Sequence, residues 1–455
     1  MDMTTKVCKF GGTSLATREQ IEKAIEIMLA DASRRYMVVS APGAVHNGDK
    51  KITDLLINSA GEYRSSKKSP SAETVIARFD EIIPGDAELV GRLWTNLQER
   101  LSNVHAKNYL DNIKAFGEYA NAVVINKILQ EKGIVSDFFD PRELAFTLVG
   151  KGDNVKPDSR GYNKTGAVLK SKSENLRIGV IPGFYGYNRK GELITLPRGG
   201  SDVSGAVIAR AINAIIYENW TDEDGLKRAD PRIVPYAEFI KIMTYIEARE
   251  LAYMGFKLQD ACFGPIVNRG ITLNVKNTNN PQHPGTLIVD EREVSPEEYI
   301  IGVACENNHV CIGMRKMYSD QEVGLGRKLF QIFEKRKIPY EHHPNGVDSL
   351  SVILRGKYLV GKNNLESILK DIYKKCGVER KISTQKISLL SVAGLGMNNH
   401  PDTHARVFSA LAGKGIYARS IDEGADDISM FVGVDENKSG DAVRAVYDEF
   451  FGKKN

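Results

Sequence analysis

Lys6-Val7-Cys8-Lys9-Phe10-Gly11-Gly12-Thr13-Ser14 is the stretch on which the fold turns. Its first five residues read as a short strand that runs without a break into two glycines. A helix follows. Thr17 and Gln20 stand at capping-box spacing, and Ile21, Ile25, Met28 and Leu29 recur at helical period, so this helix has one face to bury on a sheet. Tyr36 to Ser40 is a second strand, which empties into the breaker-rich loop Pro42 to Asp49 before a helix that starts near Thr53. The alternation recurs at Arg177 to Ile181, Ser201 to Ala214 and Ile215 to Asn219. It predicts an α/β fold, a mostly parallel sheet sandwiched by helices, in which loops at the carboxyl ends of the strands carry ligands.

The chain has 455 residues, room for roughly three units at about 150 residues each. Apolar residues make up 42% and charged residues 26%, ordinary values that exclude a disordered or collagen-like chain. Lys plus Arg number 62 against 58 Asp plus Glu, and a net charge of +4 is too even to argue for nucleic acid as a partner. No stretch reaches the roughly 18 apolar residues of a membrane helix, and Met1 to Phe10 lacks a signal-peptide core. No membrane contact and a cytoplasmic location are therefore expected. Five scattered cysteines argue against a disulfide framework or a thiolate zinc site. His400 and His404 have Pro401 between them and no Glu to complete a zinc-hydrolase signature, so they read as a surface turn and no metal ligands are expected.

Between Lys276 and Pro284 the sequence turns polar and breaker-rich, and beyond it the pattern changes. From His309 it reads β (Val310 to Met314), α (Glu322 to Lys335), β (around Tyr340), β (Leu350 to Leu354), α (Asn364 to Lys375), β (Val378 to Ser383), a ferredoxin-like βαββαβ unit. A second pass runs β (Ser388 to Ala393), α (His404 to Ala412), β (Tyr417 to Ile421), β (Ser429 to Val434), α (Gly440 to Phe450), one strand short. The surplus strand Ile300 to Cys305 is expected to complete it. The expected division is 1–285 as the α/β domain, 286–299 as a linker, 309–384 as the first unit, and 300–308 with 385–453 as the second unit, into which the first is inserted.

Three loops carry chemistry. Lys9-Phe10-Gly11-Gly12-Thr13-Ser14 sets a cation, two residues without side chains and two hydroxyls at a strand end, a combination that suits a phosphate. A tight turn would explain the glycines equally well, and the Gly-Lys-Ser/Thr ending of a Walker loop is missing. Pro197-Arg198-Gly199-Gly200-Ser201-Asp202 repeats the theme; Ser201 and Asp202 are natural helix caps, whereas Arg198 beside two glycines suits bidentate carboxylate recognition. Thr221-Asp222-Glu223-Asp224-Gly225 and Arg228-Ala229-Asp230-Pro231-Arg232 follow a further strand. Together the loops point to a site for a nucleotide and a small carboxylate.

Lys9 to Ser14, Arg198 to Asp202, Asp222 to Gly225 with Asp230-Pro231-Arg232, and Asn277-Thr278 with Pro284-Gly285-Thr286 resemble the single-function aspartokinases of the amino-acid-kinase fold. The resemblance runs nearly end to end and takes in a tail of two ACT units, one inserted in the other. It departs at Lys227, where the family usually has Tyr, and at Phe256 to Ala261. It implies transfer of the γ-phosphoryl of ATP, with Mg2+, to the side-chain carboxylate of L-aspartate, giving 4-phospho-L-aspartate and ADP, the first step toward lysine, threonine and methionine. Lys9 would supply charge, and Asp202 would organise Lys9 or the metal. Gly11, Gly12 and Thr13, with Gly199 and Gly200, would line the phosphates. Ser40, Thr53, Glu118, Phe184, Arg198 and Ser201 would hold aspartate. Thr221, Asp222, Arg228, Asp230, Pro231, Arg232 and Lys257 would contact ATP.

The resemblance also implies feedback inhibition, with L-lysine the leading effector, and a homodimer or tetramer formed through the ACT units. The effector residues would be Met317, Ser319, Gly324, Leu325, Gly326, Tyr340, Glu341, Val347, Asp348 and Ser349. Without the family, Thr53 reads as a helix cap, Glu118 as a solvated helix charge, Leu325 and Val347 as core, and Glu341 as a surface charge. Kinases of the same fold acting on glutamate, carbamate or uridylate are the enzyme alternative, and they generally lack the paired tail. A non-catalytic amino-acid sensor is the alternative from another class; it would have lost Lys9, Arg198 or Asp202, and all three stand in their motifs. A fused homoserine dehydrogenase is not expected, because no strand followed by a Gly-x-Gly-x-x-Gly helix start is present.

Overall fold

The computed structural model describes residues 5–46, 48–255, 260–295, 298–378, 382–424 and 428–452. They fall into two compact units. Among the described residues the first draws on 5–226, 239–245 and 260–292, the second on 227–238, 246–255 and 293–452.

In the first unit the chain runs β1 (Lys6–Phe10), α1 (Arg18–Leu29), β2 (Arg34–Val39), then the helices α2 (Ile52–Ser66), α3 (Pro70–Ile82), α4 (Ala87–Ser102), α5 (Tyr109–Lys114) and α6 (Phe116–Glu131). After β3 (Ser136–Phe138), the hairpin β4 (Leu148–Val149) and β5 (Lys156–Pro157), and α7 (Tyr162–Lys172) come β6 (Ile178–Pro182), β7 (Tyr185–Tyr187) and β8 (Leu193–Thr195). The unit is completed by α8 (Gly200–Ile212), β9 (Ile216–Thr221), β10 (Ile242–Thr244), α10 (Phe263–Ile266), β11 (Thr272–Asn277) and β12 (Thr286–Val289); α9 (Tyr245–Tyr253) starts directly after β10 and from Ile246 on is counted with the second unit.

Eight of these strands form one sheet in the order β10-β12-β11-β9-β1-β2-β6-β3. Every neighbouring pair is parallel except β11 and β12. The inner strands are apolar because both faces are covered: all five residues of β6 are buried, as are four of five in β1. The Thr17 hydroxyl caps α1 by accepting from the Gln20 N–H at 3.3 Å, as the capping-box spacing predicts. Successive connections leave β1 toward β2 and β6 on one side and return to β9 and β11 on the other, so β1 and β9 flank the switch point where such sheets bind ligands.

The expected linker at 286–299 begins differently. Thr286–Val289 is a strand of the main sheet, because Gly285, at φ +79°, turns the chain back and the apolar run after it pairs antiparallel with β11. Residues 227–238 and 246–255, expected within the α/β domain, belong instead with the second unit.

The second unit holds β13 (Gly302–Arg315), α11 (Leu325–Arg336), β14 (Asn345–Gly346), β15 (Ser349–Arg355), α12 (Leu365–Cys376), β16 (Ser383–Ala393), α13 (Thr403–Gly413), β17 (Ser420–Asp422), β18 (Ser429–Asp435) and α14 (Ser439–Phe451). Residues 302–306 pair with 389–393 of the second pass, and 309–315 pair with 349–355 of the first. The two ACT units are thus halves of a single antiparallel sheet, β14-β15-β13-β16-β18-β17. A bulge between Glu306 and His309 separates the halves of β13, with Asn308 at φ +65°. One core gathers Leu329, Ile332 and Phe333 of α11 with Ile368 and Ile372 of α12, and the other gathers Val407 of α13 with Val443 and Val446 of α14. The expected strand Val378 to Ser383 begins at Ser383, and 379–381 lie outside the described residues. His400 and His404 do not converge: His400 stacks on Tyr299 at 3.8 Å, and His404 pairs with Glu423.

Candidate active site

At the carboxyl ends of β1, β2 and β9 a cleft of about 1460 Å³ opens in the first unit. Strand β1 delivers Lys9 to its floor. There the ammonium lies 2.5 Å from Asp202 Oδ1, in the first turn of α8, and 3.3 Å from Asn219 Oδ1 of β9. Asn219 Nδ2 donates to the same Asp202 oxygen at 3.1 Å, and the Tyr217 hydroxyl donates to the Asp202 carbonyl at 2.9 Å. The pair is held from both sides.

Backbone meets backbone around Lys9. The Gly43 N–H donates to the Gly12 carbonyl at 2.8 Å, which ties the loop after β1 to the loop after β2. A Cβ on Gly12 would sit 2.9 Å from the Ala41 carbonyl oxygen, and one on Gly43 2.6 Å from the Gly12 carbonyl carbon, so both positions require glycine. Gly199, at φ +76°, turns the chain into α8, whose N-terminal turn lines the cleft without a side-chain cap. That end of the helix is electropositive and leaves N–H groups for an anion. Just past this loop the Thr278 hydroxyl donates to Ser14 at 2.7 Å.

Opposite lies a carboxyl in an unusual setting. Glu118, in the first turn of α6, is buried; its Oε2 has no hydrogen-bond partner, and burial pushes its pKa up to about 8 despite the backbone N–H of Ala41 and the Lys114 ammonium. Across from it, the Arg198 guanidinium is exposed and makes no hydrogen bond or ion pair among the described residues. Phe184, also lining the cleft, sits at φ +71°, a conformation that disfavours a bulky side chain, fixed by its N–H to Ser204 Oγ at 3.1 Å and its carbonyl to the Leu196 N–H at 2.8 Å.

The cleft therefore brings together Lys9, Gly11, Gly12, Thr13, Ser40, Thr53, Glu118, Phe184, Arg198, Gly199, Gly200, Ser201, Asp202, Thr221 and Asp222. Others are not brought there. The expected role of Arg228 in holding ATP is corrected: its guanidinium is buried in the second unit, donating to the carbonyls of Ile300 and Ile301 at 3.2 and 3.3 Å and pairing with Glu298 at 2.8 Å. A buried guanidinium held by three acceptors is committed to structure. Asp230 and Arg232 pair with one another, and with Pro231 they also belong to the second unit. Lys257 lies outside the described residues.

In the tail, Ser319 Oγ donates to the Val347 carbonyl at 2.9 Å and Asp348 Oδ1 accepts from the Tyr318 N–H at 2.7 Å. The turns at 317–319 and 347–349 are thereby joined near the start of α11, where Gly324 stands at φ +85° beside Gly326. Met317 and Val347 are exposed, Leu325 is buried in the core under α11, and Tyr340 stacks on Phe330 at 4.7 Å. Glu341, expected with the effector residues, turns inward instead, to Arg355 Nε at 3.0 Å and the Tyr253 hydroxyl. Neighbours in extended chain point to opposite sides, which separates it from Tyr340.

Several cleft residues escaped the sequence reading. Asp111 and Lys114 were hidden in a helical charge pattern, and Gly43 in a loop. Gly150-Lys151-Gly152-Asp153, between β4 and β5, does carry a signal, a breaker-rich run holding a lysine.

The model of the amino acid kinase family matches residues 4–277, and that of the ACT domain matches 390–450. Aspartokinase 3 of Bacillus subtilis is 33% identical over 98% of this chain and 98% of its own. Lysine-sensitive aspartokinase 3 of Escherichia coli is 26% identical over 89% and 90%. The crystal structure of Clostridium acetobutylicum aspartate kinase superposes with a TM-score of 0.85 at 33% identity, covering 98% of this chain and all of that one. With this cleft and a paired ACT tail in one chain, and with relatives matched along about nine-tenths or more of their length, the chain belongs to the amino acid kinase family and, within it, to the aspartokinases.

Proposed function

We propose that the chain transfers the γ-phosphoryl group of MgATP to the side-chain carboxylate of L-aspartate, giving 4-phospho-L-aspartate and ADP. The observation that carries this reading is one cleft holding the Lys9–Asp202 pair, the unpartnered buried oxygen of Glu118 and the unpaired guanidinium of Arg198. A carboxylate is already a competent nucleophile, so the protein's task is alignment and charge neutralisation. Arg198 clamps one carboxylate of aspartate, and Glu118 takes the α-ammonium, which ionises it. Ser40, Thr53 and Ser201 supply hydroxyl donors along the same wall. Lys9 would neutralise charge that develops on the transferring phosphoryl oxygens, and the Gly11-Gly12 backbone and the α8 N-terminus, which line the same cleft, would face the phosphates.

Asp202 and Asp222 are among the carboxylates that line the cleft, and they would hold Mg2+ brought in with the nucleotide. When bound, the ion neutralises phosphate charge. The tail is the regulatory part. L-lysine as feedback inhibitor is supported by the lysine-sensitive relative and by the joined turns at 317–319 and 347–349, and the ACT units are the surfaces for a homodimer or tetramer. No helix among the described residues is long and apolar enough to cross a membrane, in keeping with a cytoplasmic enzyme at the head of the lysine, threonine and methionine pathway.

ADP release is measured with MgATP and L-aspartate, beside L-glutamate, then with L-lysine or L-threonine added. Turnover that needs aspartate and falls with lysine is expected. No aspartate-dependent turnover would overturn the reaction, and a flat response at saturating lysine would remove lysine as the effector.

A further inference from the structure

Three elements that carry the substrate side of the cleft meet at one side chain that the motifs leave unassigned. Lys114 ends α5, one helical turn before Glu118, with only Ala115 between α5 and α6. Its ammonium donates to Thr195 Oγ1 at 2.8 Å and pairs with Asp111 Oδ1 at 2.9 Å, while the Thr195 hydroxyl donates to that same Asp111 oxygen at 2.6 Å. Thr195 is buried at the end of β8, and Leu196, Pro197 and Arg198 follow it directly. The Lys114 ammonium also lies 5.8 Å from the centre of the Phe184 ring, within cation–π range. One cation thus ties the end of α5, next to Glu118's helix, to the strand leading into the Arg198 loop and lies over the strained Phe184.

Electrically the placement matters as much. Burial raises the Glu118 pKa, and the backbone at Ala41 and at Glu118 itself opposes the rise, as does Lys114, the charged group acting on it. Apolar Ile52 and Leu56 of α2 pack against the neighbouring Gly117 and bring no charge. Lys114, in turn, faces the Asp111 carboxylate on its own helix and the uncharged Thr195 on β8. The ion pair with Asp111 keeps the ammonium in place, and the Thr195 hydroxyl couples it to the strand that leads into Arg198.

We infer that Lys114, held by Asp111 and Thr195, is a positioning residue for aspartate: it keeps the Glu118 carboxyl ionisable and anchors the Arg198 loop, without itself contacting the transferring group. This rests on the reading that Glu118 takes the substrate ammonium.

Steady-state kinetics of Lys114→Met, Lys114→Arg and Thr195→Val, from about pH 6.5 to about pH 9, test it. For Lys114→Met, the acid limb of kcat/KM for aspartate is expected to move up by about one pH unit, with KM for aspartate raised about tenfold at pH 7.5 and KM for ATP within about twofold. Lys114→Arg restores the limb. Thr195→Val, an isosteric change that leaves the charge in place, raises KM for aspartate and leaves the limb where it was. An unmoved limb in Lys114→Met, or equal losses toward ATP and aspartate, overturns the inference. Should Lys114→Met not fold, a Thr195→Val enzyme with unchanged KM for aspartate overturns it alone. Absence of aspartate-dependent turnover in the unaltered protein would instead refute the underlying reaction.

Discussion

The Lys9 ammonium lies 2.5 Å from Oδ1 of Asp202, across the gap between the end of β1 and the first turn of α8. Asn219 of β9 holds both partners, at 3.3 Å from the ammonium and 3.1 Å from the carboxylate. The cation of the site is thus located by three elements that meet only in the folded sheet.

Lys9→Met removes that cation while keeping the side chain's bulk. A loss in kcat of about 10³ is expected, with thermal unfolding lowered because Asp202 loses its counter-charge, and with lysine binding to the tail retained in the folded protein. ADP release and calorimetric titration of lysine check this; turnover within tenfold of the unaltered enzyme would contradict the phosphate assignment.

Glu118 gives a pH signature. Its folded pKa, about 8, stands above the ordinary 4.5, so between those values the folded protein keeps a proton that the unfolded chain has released. The stability tied to this group is complete below 4.5 and is lost as pH rises through 8. Glu118→Gln is therefore expected to unfold at a higher temperature than the unaltered protein near pH 8, by about 2 °C or more, with the gap closing toward pH 5. The same change raises KM for aspartate by about tenfold or more. Calorimetric scans across this range decide it, since a gap independent of pH would deny the buried acid its role.

Gly43→Ala tests the contact between the two glycine loops. Its Cβ would lie 2.6 Å from the Gly12 carbonyl carbon and 2.7 Å from the Thr13 nitrogen, so the loops must part. A fall in kcat of about tenfold or more, with a raised KM for ATP, is expected from a displacement of that kind. Unchanged kinetics in both constants would show that the approach is not needed.

Glu218 provides the contrast of a buried carboxylate without catalytic work. It accepts from Arg34 Nε at 2.8 Å and Trp220 Nε1 at 3.0 Å, and also from the Cys8 thiol. Glu218→Gln leaves the Arg34 guanidinium without its counter-charge and is expected to cost about 3–5 kcal/mol in urea unfolding. KM for both substrates is expected to stay within about twofold. A stable variant with impaired kinetics would reverse this division of labour.

Much of this was legible from local pattern. The run from Lys6 into Gly11-Gly12 is β1 and its loop, Thr17 is the helix cap, and the alternation past His309 is the paired tail. Resemblance named Glu118, which alone looks like a solvated helix charge, and the fold buries it. Arg228 and Glu341 went the other way: each stands in or beside a recognisable motif, and each is spent on a buried structural contact.

What the sequence by itself determined is which residues form strands and helices and which face each one buries, because those follow from periods of 2 and 3.6 and from caps within a few residues. Only the tertiary structure decided that β13 and β16 run through both ACT halves as one sheet, that Thr286–Val289 joins the main sheet, and that Lys114 meets Thr195 beside Phe184. Strand partners, ion pairs and shifted pKa values depend on distance and on exclusion of water between segments far apart in the chain, and neither exists until the chain has folded.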